Sequence, residues 1–197
     1  MKKLFTSESV TPGHPDKLCD KIADMILDAY LKEDSSSRVA VEVCAHKNGI
    51  VVMGEVTSKA KIDFERIVRN TIIDVGYDND NLGFNGNNVK VSININTQSN
   101  DIAMGVNTSS DSKLLGAGDQ GMMFGYATDE TENFMPYSIY LANKLSEKLY
   151  NAFKTKKIPY LRPDGKTQVT ICYIDDVPKY VDTIVISAQH DEIDLDT

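Results

Sequence analysis

An Asn-Gly pair at residues 48 and 49 separates two runs of alternating side chains, and this arrangement restricts the fold more than any other feature of the chain. Upstream, Val39, Val41 and Val43 alternate with Ala40, Glu42 and Cys44, and downstream Ile50 to Thr57 returns in β-rich composition. Asn-Gly favours the two-residue loop that joins antiparallel strands, so a hairpin is predicted here. Helical periods flank it. Leu18, Ile22, Met25, Ile26 and Ala29 recur at the 3.6-residue spacing between Leu18 and Leu31. Phe64, Ile67, Val68 and Ile72 do so between Ile62 and Val75, with Gly76 as the C-terminal stop. Val89, Val91, Ile93 and Ile95 predict a third strand. Helix, hairpin, helix and strand define an α+β unit, a mostly antiparallel sheet with helices packed on one face.

A second unit of the same kind follows. Residues Thr97 to Leu115 are polar and lack a period, as in a functional loop. Met122 to Ala127 reads as a strand, and Leu141, Leu145, Leu149 and Phe153 mark a helix. Thr167 to Tyr173 and Tyr180 to Ala188 read as two further strands. Asp191, Glu192, Asp194 and Asp196 suit the first turn of another helix, where carboxylates meet the positive dipole end. The second unit therefore reads as cut short.

Composition removes several function classes. With 21 Lys and Arg against 29 Asp and Glu, the formal charge is −8 and no dense basic run exists. No nucleic-acid partner and no membrane surface is expected. No apolar stretch approaches the roughly 18 residues of a membrane span. Polar Thr6 to Ser9 stand where a signal peptide needs an apolar segment, so the expected location is cytoplasmic. Cys19, Cys44 and Cys172 fit neither a disulfide framework nor a zinc site, and read as reduced, mostly buried thiols.

Four groups of residues can carry chemistry. His14 and Asp16 lie on a turn stiffened by Pro12, Gly13 and Pro15, just before the first helix. A helix start offers free N–H groups to phosphate, and Asp16 can hold an accompanying hard cation; an Asp at this position also reads as an N-cap. If Asn48 and Gly49 form the hairpin loop, Glu42 faces Glu55 across the strands, with Cβ atoms roughly 4.5–5.5 Å apart. Two such carboxylates call for a metal ion, a ligand ammonium or a basic side chain between them, unless the face is solvated or the register differs. Gly116 to Gly121 matches G-x-G-x-x-G but lacks a βαβ context, and reads as a loop that lets Asp119 approach a ligand, or as a structural turn. Arg162-Pro163-Asp164-Gly165-Lys166 reads as a charged turn whose Lys166 can neutralise phosphate, with Gln98 and Ser99 able to reach the same ligand.

Together these residues resemble the S-adenosylmethionine synthetases. The matching segments are Phe5 to Val10, Gly13 to Lys17, Gly54-Glu55, Gln98-Ser99, Gly116 to Gly121 with Met123 to Ala127, Leu161 to Asp164 and Lys166 to Thr170. The resemblance implies an enzyme of repeated α+β domains in which the sulfur of L-methionine attacks C5′ of ATP and the triphosphate leaves, to be hydrolysed before release. It implies that His14 contacts the triphosphate near the breaking bond, that Asp16 binds magnesium and that Glu42 helps to bind potassium. Glu55, Gln98 and Asp119 are implied to hold methionine, and Asp164 and Lys166 to contact the nucleotide from the neighbouring subunit, in a homodimer or dimer of dimers with shared active sites. The domains expected are 1–100, with a first strand open to sharing with the second domain, a mobile active-site loop at 101–115, and a truncated central domain at 116–197; the family's third domain is expected to be absent. Asn100 stands where the family has proline. A chain so shortened is expected to be inactive alone. The alternative is an inactive binding or assembly module that contributes half of a shared site to a partner chain.

Overall fold

The computed structural model describes residues 1–97 and 120–193. The element order is β1 (Lys2–Val10), α1 (Pro15–Glu33), β2 (Arg38–His46), β3 (Gly49–Thr57), α2 (Phe64–Val75), β4 (Lys90–Asn96), α3 (Tyr137–Lys154), β5 (Leu161–Ile174) and β6 (Val177–His190), with a short 3₁₀ turn at Asp80–Leu82. Two three-stranded sheets result, ordered β2-β3-β4 and β1-β5-β6. The architecture is α+β. Among the described residues no helix is long and apolar enough to cross a membrane.

The first sheet is mixed. β2 and β3 are antiparallel, but β3 and β4 run parallel, because α2 carries the chain back across the sheet. One face is sealed by α1 and α2 through Ile22, Ile26, Ile50, Val52, Val68 and Ile72, each fully buried. Burial of a side chain of this size is worth about 1.5–3 kcal/mol, so this cluster dominates the stability of the unit. Asp63 caps α2 by accepting from the Arg66 N–H at 3.0 Å, and Gly76 ends it in the left-handed conformation.

The second sheet is antiparallel and takes its third strand from the start of the chain, β1 pairing with β5 from Lys2↔Ile174 to Val10↔Lys166. Its helix, α3, presents a buried stripe of Ser138, Ala142 and Ser146. Small residues at four-residue spacing let the helix sit close to the strands, and the hydroxyls pair across the gap. Ser7 meets Ser138 at 2.8 Å, Ser9 meets Ser146 at 3.0 Å, and Thr167 donates to the Ala142 carbonyl at 2.8 Å. Leu141 and Leu145 flank this stripe, only partly buried. β5 and β6 are joined at Asp175-Asp176, whose φ values of 51° and 61° give the twist that a tight hairpin turn requires.

Several sequence expectations are corrected. Met122 to Ala127 form no strand; the segment has no ladder partner, and Met122, Met123, Phe124 and Tyr126 are exposed. Arg162 to Lys166 are not a turn but the first part of β5, where an irregular register between Leu161 and Gly165 accommodates Pro163, which cannot donate to a ladder. Asp191 begins no helix turn; its carboxylate accepts from Arg162 Nε at 2.7 Å, while Asp194 and Asp196 lie outside the described residues. Of the three thiols, all free, only Cys172 is buried and Cys44 is exposed.

Candidate functional site

The turn before α1 is bolted to the start of β5. Thr11 donates its amide to the Gly165 carbonyl at 2.9 Å and its hydroxyl to the Pro163 carbonyl at 2.8 Å. Tyr77, buried, donates its hydroxyl to the Gly13 carbonyl at 2.7 Å, and burial together with the Asp164 charge pushes its phenol well above the ordinary range. Gly13 itself packs on the Pro163 backbone with no room for a side chain.

This joint brings Asp164 within electrostatic reach of His14, and Lys166 follows two residues further along β5. His14, not Asp16, is the N-cap of α1: its Nδ1 accepts from the Asp16 N–H at 3.3 Å. The Asp16 carboxylate lies 3.7 Å from the same nitrogen and is otherwise solvent-facing, 86% exposed. Asp164 is half-buried, and burial pushes its carboxyl up, while His14 and the Gly165 N–H pull the other way. Lys166 reaches back to β1, its Nζ donating to Glu8 Oε2 at 3.1 Å. A helix start, an imidazole N–H and an ammonium suit an oligoanion, and Asp16 beside them suits a cation that travels with it.

Glu42 and Glu55 lie on the opposite, helix-free face of the first sheet. They are not directly paired. Glu42 stands opposite Met53 and Glu55 opposite Ala40, because the loop is Lys47-Asn48 and Gly49 belongs to β3. Gly49 has no positive φ, and a Cβ there would meet His46 Nε2 at 2.6 Å and the Lys90 carbonyl at 3.0 Å. The Gly is spent on close packing rather than on the turn. The two residues remain on one face as a diagonal pair, their backbones roughly 7–8 Å apart by sheet geometry. Neither makes an ion pair or hydrogen bond among the described residues, so the pair still suits a cation between or beside them.

Asp16, Glu42 and Glu55 are single or paired donors, and no group of three or more His, Cys, Asp or Glu side chains is gathered among the described residues. Such sparse oxygen donors fit hard cations that keep water and ligand oxygens in their shell. Gln98, Ser99, Asn100, Gly116, Gly118 and Asp119 lie outside the described residues. A cavity of about 400 Å³ borders this joint, lined by Gly13, Pro15, Leu18, His46, Tyr77 and Phe84 among others, but not by His14, Asp16, Glu42, Glu55, Asp164 or Lys166. Sequence reasoning assigned no role to Glu8 or Tyr77. A first strand open to sharing with the second domain is expected from the sequence, but no local pattern gives the register of β1 on β5.

The fold and site define an α+β chain of two sheet units, with an imidazole and a half-buried carboxylate at the start of α1 and two carboxylates on the helix-free face of the first sheet. Models of the S-adenosylmethionine synthetase N-terminal domain and central domain match residues 2–100 and 114–197. The chain belongs to the S-adenosylmethionine synthetase family. It is 51% identical over 206 aligned residues to an S-adenosylmethionine synthase of Clostridium botulinum (strain Alaska E43 / Type E3), covering 100% of this chain and 53% of that one. Identity to the S-adenosylmethionine synthase of Nocardia farcinica (strain IFM 10152) is 54% over 204 residues, 98% of this chain and 50% of the relative. The chain thus spans about half the length of the curated relatives it matches.

Proposed function

We propose that this chain supplies the N-terminal and central domains, 1–100 and 116–197 with a loop at 101–115 between them, of a methionine adenosyltransferase that makes S-adenosylmethionine from ATP and L-methionine and releases phosphate and diphosphate. The observation that carries the reading is the joint between the start of α1 and β5, which sets Asp164 within electrostatic reach of His14, with Lys166 two residues further along β5, in a chain of this family. His14 donates to the triphosphate as charge builds at the breaking C5′–O bond, and Lys166 adds a point charge to the phosphate. Asp164 holds the nucleotide. Glu55, with Gln98 and Asp119, binds methionine, and oriented binding aligns its sulfur with C5′. Asp16 would hold magnesium and Glu42 would help to hold potassium, and the two ions would supply positive charge that offsets the charge of the leaving triphosphate. No covalent intermediate on the protein is needed. The expected assembly is a cytoplasmic homodimer or dimer of dimers with shared sites.

The test is a chimera that joins this chain to the remaining half of the Clostridium relative, assayed with ATP, methionine, magnesium and potassium for both S-adenosylmethionine and phosphate. Turnover is expected in the chimera and not in the chain alone. His14→Ala should lower kcat by about 10²–10³, the range for loss of one preorganised donor. A folded chimera without product, or one indifferent to His14→Ala and Asp16→Asn, sinks the assignment.

One observation favours a second reading, a module that completes a shared site with another chain. Ile184 and Ile186 stand opposite Val169 and Thr167, on the face that α3 covers over β5, yet they are 51% and 52% exposed. Among the described residues no helix covers this part of β6. Contiguous apolar surface of this kind marks association. Native mass spectrometry of the chain mixed with the full-length Nocardia relative should show a mixed complex under this reading, reduced by Ile184→Lys with Ile186→Lys; two separate species would rule it out.

A further inference from the structure

We propose that Glu8 is the positioning residue for Lys166, an inference that rests on the reading of Lys166 as a phosphate-binding group. The β1–β5 ladder sets Glu8 directly opposite Gln168, and Val10 opposite Lys166. Side chains of Glu8, Lys166 and Gln168 therefore share the helix-free face of the second sheet, with Lys166 on the diagonal from Glu8. The carboxylate uses its two oxygens differently. Oε1 accepts from Gln168 Nε2 at 2.7 Å, and Oε2 accepts from Lys166 Nζ at 3.1 Å.

Taken alone, an ion pair with partners 45% and 46% exposed is a weak contributor. The Gln168 tether changes what the pair can do. A lysine ammonium rides on four rotatable carbons, and a ligand that engages it must first collect it from many rotamers. Here a carboxylate clamped on one oxygen presents the other at a fixed place, so Lys166 is gathered before any anion arrives. The Gln168 and Lys166 contacts hold the Glu8 carboxyl below the usual carboxylate range, so it stays charged at neutral pH. Phosphate oxygens can then join the ammonium through its remaining hydrogens, since the group has three donors and Glu8 takes one.

This role differs from that of a bystander carboxylate, which would repel an anion whether or not Lys166 were present. Isothermal titration of the whole chain with magnesium tripolyphosphate separates the two. Glu8→Gln is expected to weaken binding about three- to fivefold, the upper range for an exposed pair. Lys166→Met should weaken it about tenfold, as loss of one charge-assisted contact. In the Lys166→Met background Glu8→Gln should add nothing. Gln168→Leu, which alters no charge and removes only the tether, should weaken binding about twofold. Tighter binding on Glu8→Gln in both backgrounds, or no change on Glu8→Gln and Gln168→Leu, overturns the proposal while leaving Lys166 as a phosphate ligand. Failure of the unmodified chain to bind tripolyphosphate overturns the phosphate-site reading, and this inference with it.

Discussion

Gly13→Ala is expected to lower stability by about 2–3 kcal/mol, the cost of forcing atoms into a packed contact, and the melting temperature by about 5–10 °C for a chain of this size. A Cβ at Gly13 would lie 2.4 Å from both the carbonyl carbon and the carbonyl oxygen of Pro163, and 2.5 Å from its Cβ. These are backbone atoms of β5 and the root of a ring, so no rotamer change relieves the clash. The start of α1 must back away from β5. Tyr77 would lose its 2.7 Å bond to the Gly13 carbonyl, and His14 would leave the neighbourhood of Asp164. Differential scanning calorimetry reads the stability loss, and binding of magnesium tripolyphosphate should fall in parallel. Pro163→Gly should not rescue the variant, because the opposing carbonyl remains. A melting temperature unchanged within about a degree, less than the shift from 1 kcal/mol at this chain length, would mean that the joint is not tight.

Gly54→Ala is expected to be costlier, on the order of 3–5 kcal/mol, because backbone strain and overpacking act at one position. Gly54 has φ +138°, a conformation L side chains rarely adopt, and its Cβ would come 2.0 Å from the Ala40 carbonyl oxygen of β2. Relief requires β2 to separate from β3 just where Val41 faces Gly54 and Ala40 faces Glu55. The diagonal Glu42–Glu55 pair would then open. Equilibrium denaturation should show the loss, and hydrogen exchange should show it concentrated in the β2 amides. If Gly54→Ala unfolds at the denaturant midpoint of the unmodified chain, the strained backbone at this position is wrong.

Local sequence determined α2 and the two halves of the first hairpin. Asp63 supplies an N-cap oxygen, Gly76 the left-handed stop, and Phe64 to Ile72 the apolar face between them, so every signal for that helix is within a few residues of where it acts. The alternation of Val39, Val41 and Val43 placed Glu42 on the face away from the helices for the same reason: strand periodicity is a property of consecutive residues.

Register, partnership and close packing were decided by tertiary structure, because each depends on atoms far away in the chain. Gly49 looked like a turn residue and became a strand residue, since His46 and the Lys90 carbonyl occupy the space of its missing Cβ. The apolar period of Leu141, Leu145 and Leu149 located α3 but not its buried stripe, which follows the hydroxyls of Ser7, Ser9 and Thr167 through Ser138, Ala142 and Ser146. Family resemblance linked His14 with Asp164 and Lys166, but the bonds of Glu8 to Lys166 and Gln168 depend on β1 leaving its own unit to pair with β5 some 160 residues later. Side chains that meet only through such a pairing leave no spacing in the sequence to find them by. Composition therefore located the elements, and long-range backbone pairing with side-chain exclusion assembled the site.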